Sequence, residues 1–219
     1  VEFRSAREVF LLTPAAAFAA TGVIAILYWL VHPLASDGPA MLRDEAYWQL
    51  RASDWAINAN LLLVVMMLAS MIGFGALVPL LRERAQPLAG LAVPPALPGH
   101  VLLASAGIFN AYVASALAAD PATRSLLALD GPLLGGPLHA AFGLGGMLFY
   151  AGYLCLGAAL KKAGLIGWGA TLVFVPAAGA IAMHPMLPFA FRFAGFVIFG
   201  LACLRVAVAC WRRAKADPA

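Results

Sequence analysis

Residues 61–81 read LLLVVMMLASMIGFGALVPLL, 21 consecutive positions without a charged side chain. At a rise of ~1.5 Å per residue, a helix of that length covers ~31 Å, the thickness of a bilayer's hydrocarbon core. No water is present there to satisfy backbone amides, and a helix satisfies them internally. The stretch therefore reads as a membrane span. Working outward from it, five further segments of similar character appear at 9–31, 101–119, 138–160, 165–183 and 189–209. The expected fold is all-α: a polytopic membrane protein forming a bundle of six transmembrane helices, one domain over residues 1–219 with no soluble domain.

Composition agrees. The 219 residues are 63% hydrophobic and 11% charged, against ~45–50% and ~25% in soluble domains, and mean hydropathy is +0.91. These values exclude a disordered chain, a basic nucleic-acid-binding domain and a disulfide-stapled secreted module. The net charge of +4 does not signal nucleic acid, because the charges punctuate apolar runs instead of clustering on a face. Cys155, Cys203 and Cys210 all fall inside spans and imply no disulfide framework. The start of the chain imitates a signal peptide, with Arg4, Arg7 and an Ala17-Phe18-Ala19 cleavage pattern. Its apolar run continues to Val31, beyond the ~7–15 residues of a signal core, so it is read as an uncleaved first span.

Short cytoplasmic loops carry an excess of Lys and Arg. With the N-terminus inside, Arg4, Arg7, Arg82, Arg84, Lys161, Lys162, Arg205, Arg212, Arg213 and Lys215 lie at the cytoplasmic side, and only Arg43, Arg51, Arg124 and Arg192 lie outside. Both termini are thus expected in the cytoplasm (N-in/C-in). The Ala, Leu, Gly and Pro richness suggests a bacterial inner membrane. The tight turns at 161–164 and 184–188 make the fourth, fifth and sixth spans successive neighbours. Tyr47, Trp48 and Trp55 in the outer loop 34–57 suit an interfacial helix, and that loop is the expected contact for a partner in a membrane complex. Pro87, Pro94, Pro95 and Pro98 predict an irregular, extended inner connection over 85–99.

Chemistry is sparse. No Walker loop, Gly-x-Ser-x-Gly, His-Glu-x-x-His or Cys-x-x-Cys occurs, and no carboxylate lies inside a span to relay protons. Three histidines share one depth: His32 ends the first span, His139 begins the fourth and His184 ends the fifth, with Arg192 one turn into the sixth. Imidazoles are common metal ligands and paired histidines can hold haem iron. An arginine at that level pairs a propionate or another anion, and Asp37 or Asp130 can orient an imidazole. A haem b, metal or quinone site at the outer face, built from His32, His139, His184 and Arg192 and serving electron transfer, is the sharper reading. The competing reading makes these residues ordinary polar groups at helix ends. His100 is expected at the opposite, inner face, where it cannot contribute.

A second constellation, a midplane polar pocket of Asn110, Tyr150 and Tyr153 with Ser105, Tyr112 and Ser115 nearby, suits either a small amphiphile or interhelical hydrogen bonds. Met66, Met67 and Met71 read as core filling. The alternative function is accordingly a non-catalytic bundle that binds an amphiphile or lipid, or scaffolds a larger complex.

Overall fold

The computed structural model describes residues 6–31, 45–128, 131–133, 135–183 and 187–216, and every regular element among them is helical. Helix α1 is Ala6–Val31 and the short α2 is Glu45–Arg51. The next helical stretch, Asp54–Ile108, begins at Ser53, whose hydroxyl caps the amide of Ala56 at 3.3 Å. It is broken at Ala85, which leaves the helical region with φ −141° and ψ 35°. There the chain folds back. Ser70 and His100, 30 residues apart, hydrogen-bond at 2.9 Å, whereas a straight helix would separate them by ~45 Å. Further from the break, Gly107 abuts Val64 and the Asn60 carbonyl. The two arms, α3 (54–84) and α4 (86–108), are therefore an antiparallel hairpin with Ala85 at its apex.

The expected irregular connection over 85–99 is helical instead. Pro87 sits in the first turn of α4, where an amide has no helical partner to lose. Pro94 and Pro98 face outward, while Ala85, Ala89, Ala92 and Ala96 recur every three to four residues on the buried face. That small-residue stripe brings α4 close to its neighbours, and the packing gained outweighs the hydrogen bonds the prolines forfeit. Beyond Ile108, α4 runs through a π-helical turn, Phe109–Ala114, and ends at Ser115–Ala119. Helices α5 (Pro137–Lys162), α6 (Trp168–Ala182) and α7 (Phe189–Ala216) follow.

These six long helices form a ring in chain order. Phe18 of α1 packs beside Gly73 of α3, and His100 of α4 meets Phe149 of α5 with ring centroids 5.0 Å apart. Tyr153 of α5 contacts Phe174 of α6 at 5.4 Å, and Phe174 stacks on Phe199 of α7 at 5.9 Å. Tyr28 of α1 stacks on Phe196 of α7 at 5.0 Å, which closes the ring. The interior is filled by aromatic side chains, with Phe74, Phe149, Tyr153, Phe196 and Phe199 fully buried. Met66 and Met67 are buried core filling, and the three cysteines are free thiols within the helices.

Outside the ring the surface is apolar: Ile72, Leu91, Met147, Leu172 and Leu201 are each more than half exposed. Water-soluble proteins rarely leave such a belt open. Four described helical stretches are long and apolar enough to cross a membrane, one of them the whole α3–α4 hairpin, and α6 is a shorter apolar helix of 15 residues. The molecule is thus an all-helical protein compatible with membrane integration.

A small second core lies at the end away from Ala85. Trp48 of α2 packs with Ala114, Ala118 and Leu127, docking α2 against the end of α4. Arg124 clamps this cap through a bidentate pair with Glu45, at 2.5 and 2.9 Å. That hydrogen-bonded guanidinium holds the Glu45 carboxyl below its usual range, and the same bond raises Arg124.

Candidate functional site

The polar residues that meet inside the ring are Ser70 of α3, His100 of α4 and Tyr153 of α5. Each is buried, with at most 1% of its surface exposed. Their hydrogen bonds run in one direction. The Nδ1 of His100 lies 2.7 Å from the Ala96 carbonyl, which can only accept, so Nδ1 carries the proton and Nε2 accepts. The Ser70 hydroxyl then donates to Nε2 at 2.9 Å, and the Tyr153 hydroxyl donates to Ser70 Oγ. Every strong donor in the chain Tyr153 to Ser70 to His100 to Ala96 is used, as a buried network requires.

His100 reaches this place because α4 starts at residue 86. Ser70 and His100 each stand 15 residues from Ala85, or ~22 Å along either arm, so His100 lies midway through the bundle and not at its end. Phe74 and Phe149 enclose the imidazole at 6.1 and 5.0 Å. The Ser–His contact resembles an activated nucleophile, but a carbonyl stands behind the imidazole where a carboxylate would orient it, and aromatic rings seal the serine. The geometry is that of a fastening between three helices.

Those of the residues singled out from sequence that are described lie on different elements. His139 is exposed in the first turn of α5. Arg192, in the first turn of α7, places its guanidinium over the Trp29 ring at 5.8 Å, beside Tyr28 and Phe196. His32 and His184 lie outside the described residues, as do Asp37 and Asp130. Among the described residues, no group of three or more His, Cys, Asp or Glu side chains is placed to hold a metal ion. Asn110, Tyr150 and Tyr153 do not share a pocket. Asn110 accepts from Arg51 at 3.2 Å near α2, Tyr150 is 37% exposed against Gly179, and Tyr153 belongs to the His100 cluster. The π turn places Asn110, since the Ser115 hydroxyl donates to the Asn110 carbonyl at 3.0 Å.

Sequence reasoning missed Ser70 and His100 as partners. The signal was the spacing Ala85, Ala89, Ala92, Ala96, His100, Leu103, which is helical in period and sets His100 on the buried face.

The apex end of the bundle carries a different feature. A groove of about 500 Å³ runs between α5 and α6, with Leu88 of α4 at its base. Leu154, Ala158, Leu172, Val175 and Pro176 make its walls apolar, and Lys161, Lys162 and Trp168 stand at its mouth. The Lys161 ammonium sits 4.1 Å from the centre of the Trp168 ring, a cation–π contact that holds it there. A second hollow of about 380 Å³ lies between Leu165 and α7, edged by Arg205 and Arg212. No protein-family model, curated protein or solved structure matches the chain.

Proposed function

We propose that this protein is an integral membrane protein of six crossings, with both termini cytoplasmic in a bacterial inner membrane, which binds an amphiphile drawn from the bilayer and has no catalytic centre. The observation carrying the binding reading is the α5–α6 groove, apolar along its length and cationic at one end. Its volume falls within the range of ~300–1,000 Å³ usual for small-molecule sites. The orientation rests on charge: Arg82, Arg84, Lys161, Lys162, Arg205, Arg212, Arg213 and Lys215 gather at the apex end, where cytoplasmic loops concentrate them. Trypsin is expected to cut the Arg212–Lys215 tail in inverted membrane vesicles and to spare it in right-side-out ones. The opposite pattern overturns the topology. At the other end Trp55, 54% exposed beyond α2, offers a contact for a partner in a membrane complex.

A second reading, electron transfer through a haem b, metal or quinone near His32, His139, His184 and Arg192, is favoured by the aromatic group of Trp29, Tyr28 and Phe196 beneath Arg192. One preparation separates the two. Protein purified in mild detergent is extracted with organic solvent for mass spectrometry, and its visible spectrum is recorded oxidised and reduced. Amphiphile binding predicts a retained bilayer lipid near one per chain and a colourless sample. A Soret band lost in His139→Ala would replace that reading with the redox one.

A further inference from the structure

We propose that the α5–α6 groove is a site for an anionic phospholipid, with the phosphate-bearing headgroup on Lys161 and Lys162 and an acyl chain along the wall toward Pro176. The proposal rests on the amphiphile reading and names its ligand class.

Polarity along the groove is the first argument. Both cations stand at the mouth, and from Lys162 back to Leu154 on α5, or from Trp168 forward to Pro176 on α6, the lining is apolar apart from Thr171. Each wall is ~12 Å long by helical rise, so charge and apolar surface are separated as they are in a lipid. Thr171 does not alter this, because its hydroxyl donates to the Gly167 carbonyl at 3.2 Å.

Charge supplies the second argument. Among the described residues, no carboxylate lines the groove. Among the described residues of α3 to α7, Glu83 is the one carboxylate at the apex end, against the cations of α3, α5 and α7. Two ammonium groups with no carboxylate beside them among the described residues, next to an apolar surface of lowered dielectric, favour a headgroup of net negative charge over zwitterionic phosphocholine. Basic pockets between helices on the cytoplasmic side take anionic headgroups for this reason.

Geometry fixes the position. Trp168 seats Lys161 by its ring face, so the ammonium keeps its N–H donors for a ligand without a flexible search. Helix α6 starts at Gly167 without a side-chain cap, so the amides of its first turn open beside the same mouth. Leu172, 67% exposed, and Leu154, 50% exposed, leave the wall accessible along its length.

The test uses the delipidated full-length protein in detergent, titrated by native mass spectrometry with phosphatidylglycerol and phosphatidylcholine of identical acyl chains. Phosphatidylglycerol is expected to bind about tenfold more tightly, two lysine contacts each contributing several-fold. The double variant K161Q/K162Q should reduce phosphatidylglycerol to the phosphatidylcholine level, and K215Q should leave the preference intact. Leu172→Trp, which fills the wall, should weaken both lipids, and circular dichroism confirms that each variant is folded. Equal binding of the two lipids, with Leu172→Trp still weakening both, overturns the headgroup assignment and leaves the amphiphile reading standing. Saturable binding of neither lipid, or no effect of Leu172→Trp, overturns both. Displacement of phosphatidylglycerol by millimolar inorganic phosphate alone would make this a site for the free anion and overturn the lipid proposal.

Discussion

A single methyl group added at Gly99 is expected to unseat α4 from α5. An alanine Cβ there would collide with the backbone nitrogen of Phe149 and lie 2.7 Å from its Cα. These are main-chain atoms of a helix interior, so no side-chain rotation relieves the clash. Gly152 presents the same problem from the other side, its Cβ meeting Ala96 Cβ at 2.5 Å and Ala96 Cα at 2.7 Å. Overpacking typically costs ~1–3 kcal/mol, and rigid backbone on both sides places Gly99→Ala and Gly152→Ala at the upper end. The penalty spreads, because His100 follows Gly99 directly and would be drawn off Ser70. Gly75→Ala and Gly143→Ala are the controls: neither Cβ has a neighbour within 4 Å, so each should be neutral or stabilising by up to ~1 kcal/mol. Thermal unfolding in detergent, followed by tryptophan fluorescence, gives the ranking. A Gly99→Ala protein as stable as Gly75→Ala would show that α4 does not ride on the Phe149 backbone.

The second large effect belongs to His100. His100→Ala removes the acceptor of the Ser70 hydroxyl and leaves a space among Phe74, Phe149 and Tyr153, so a loss of ~2–4 kcal/mol is expected from the cavity and the orphaned hydroxyl together. Ser70→Ala should cost less, because Tyr153 Oη is already 3.5 Å from His100 Nε2 and can close on it. Tyr153→Phe should cost least, ~1 kcal/mol, since Ser70 keeps His100 as its partner. The Ser70→Ala/Tyr153→Phe cycle should be non-additive, as expected for members of one network. Reversible unfolding in sodium dodecyl sulfate measures all four proteins. If Ser70→Ala proved more damaging than His100→Ala, the direction assigned to the hydrogen-bond chain would be wrong.

How much of this was legible depends on what each residue had to reveal. The run 61–81 is readable by itself, because length and uniform apolarity are one-dimensional properties, and helices overlie the segments expected at 9–31, 138–160, 165–183 and 189–209 to within a few residues at most ends. The proline-rich segment misled. Proline argues locally against helix, whereas Pro87, Pro94, Pro95 and Pro98 are accommodated because the alanine face of α4 packs tightly, a three-dimensional gain. Misplacing the start of α4 by four turns put His100 at a membrane face and hid its partner. The same error of depth put Asn110 at the midplane, whereas it lies ten residues beyond His100, beside Arg51 of α2. Tyr150 and Tyr153 of α5 part by rotation about the helix axis, the one exposed and the other buried. Uniformly apolar helices give little periodic signal from which to read that rotation.

The apex at Ala85 bears on how the chain assembles. With essentially no loop between them, the arms of the hairpin meet through contacts close in sequence, so joining them forfeits little chain entropy. Contacts of this kind form early because they need no long search, and each arm shields small-residue surface that would otherwise await a partner. Residues 54–108 therefore have the makings of a folding nucleus. Against that hairpin α5 completes the Ser70–His100–Tyr153 chain, and the contact of α1 with α7 joins helices far apart in sequence, the pairing with the longest loop to close.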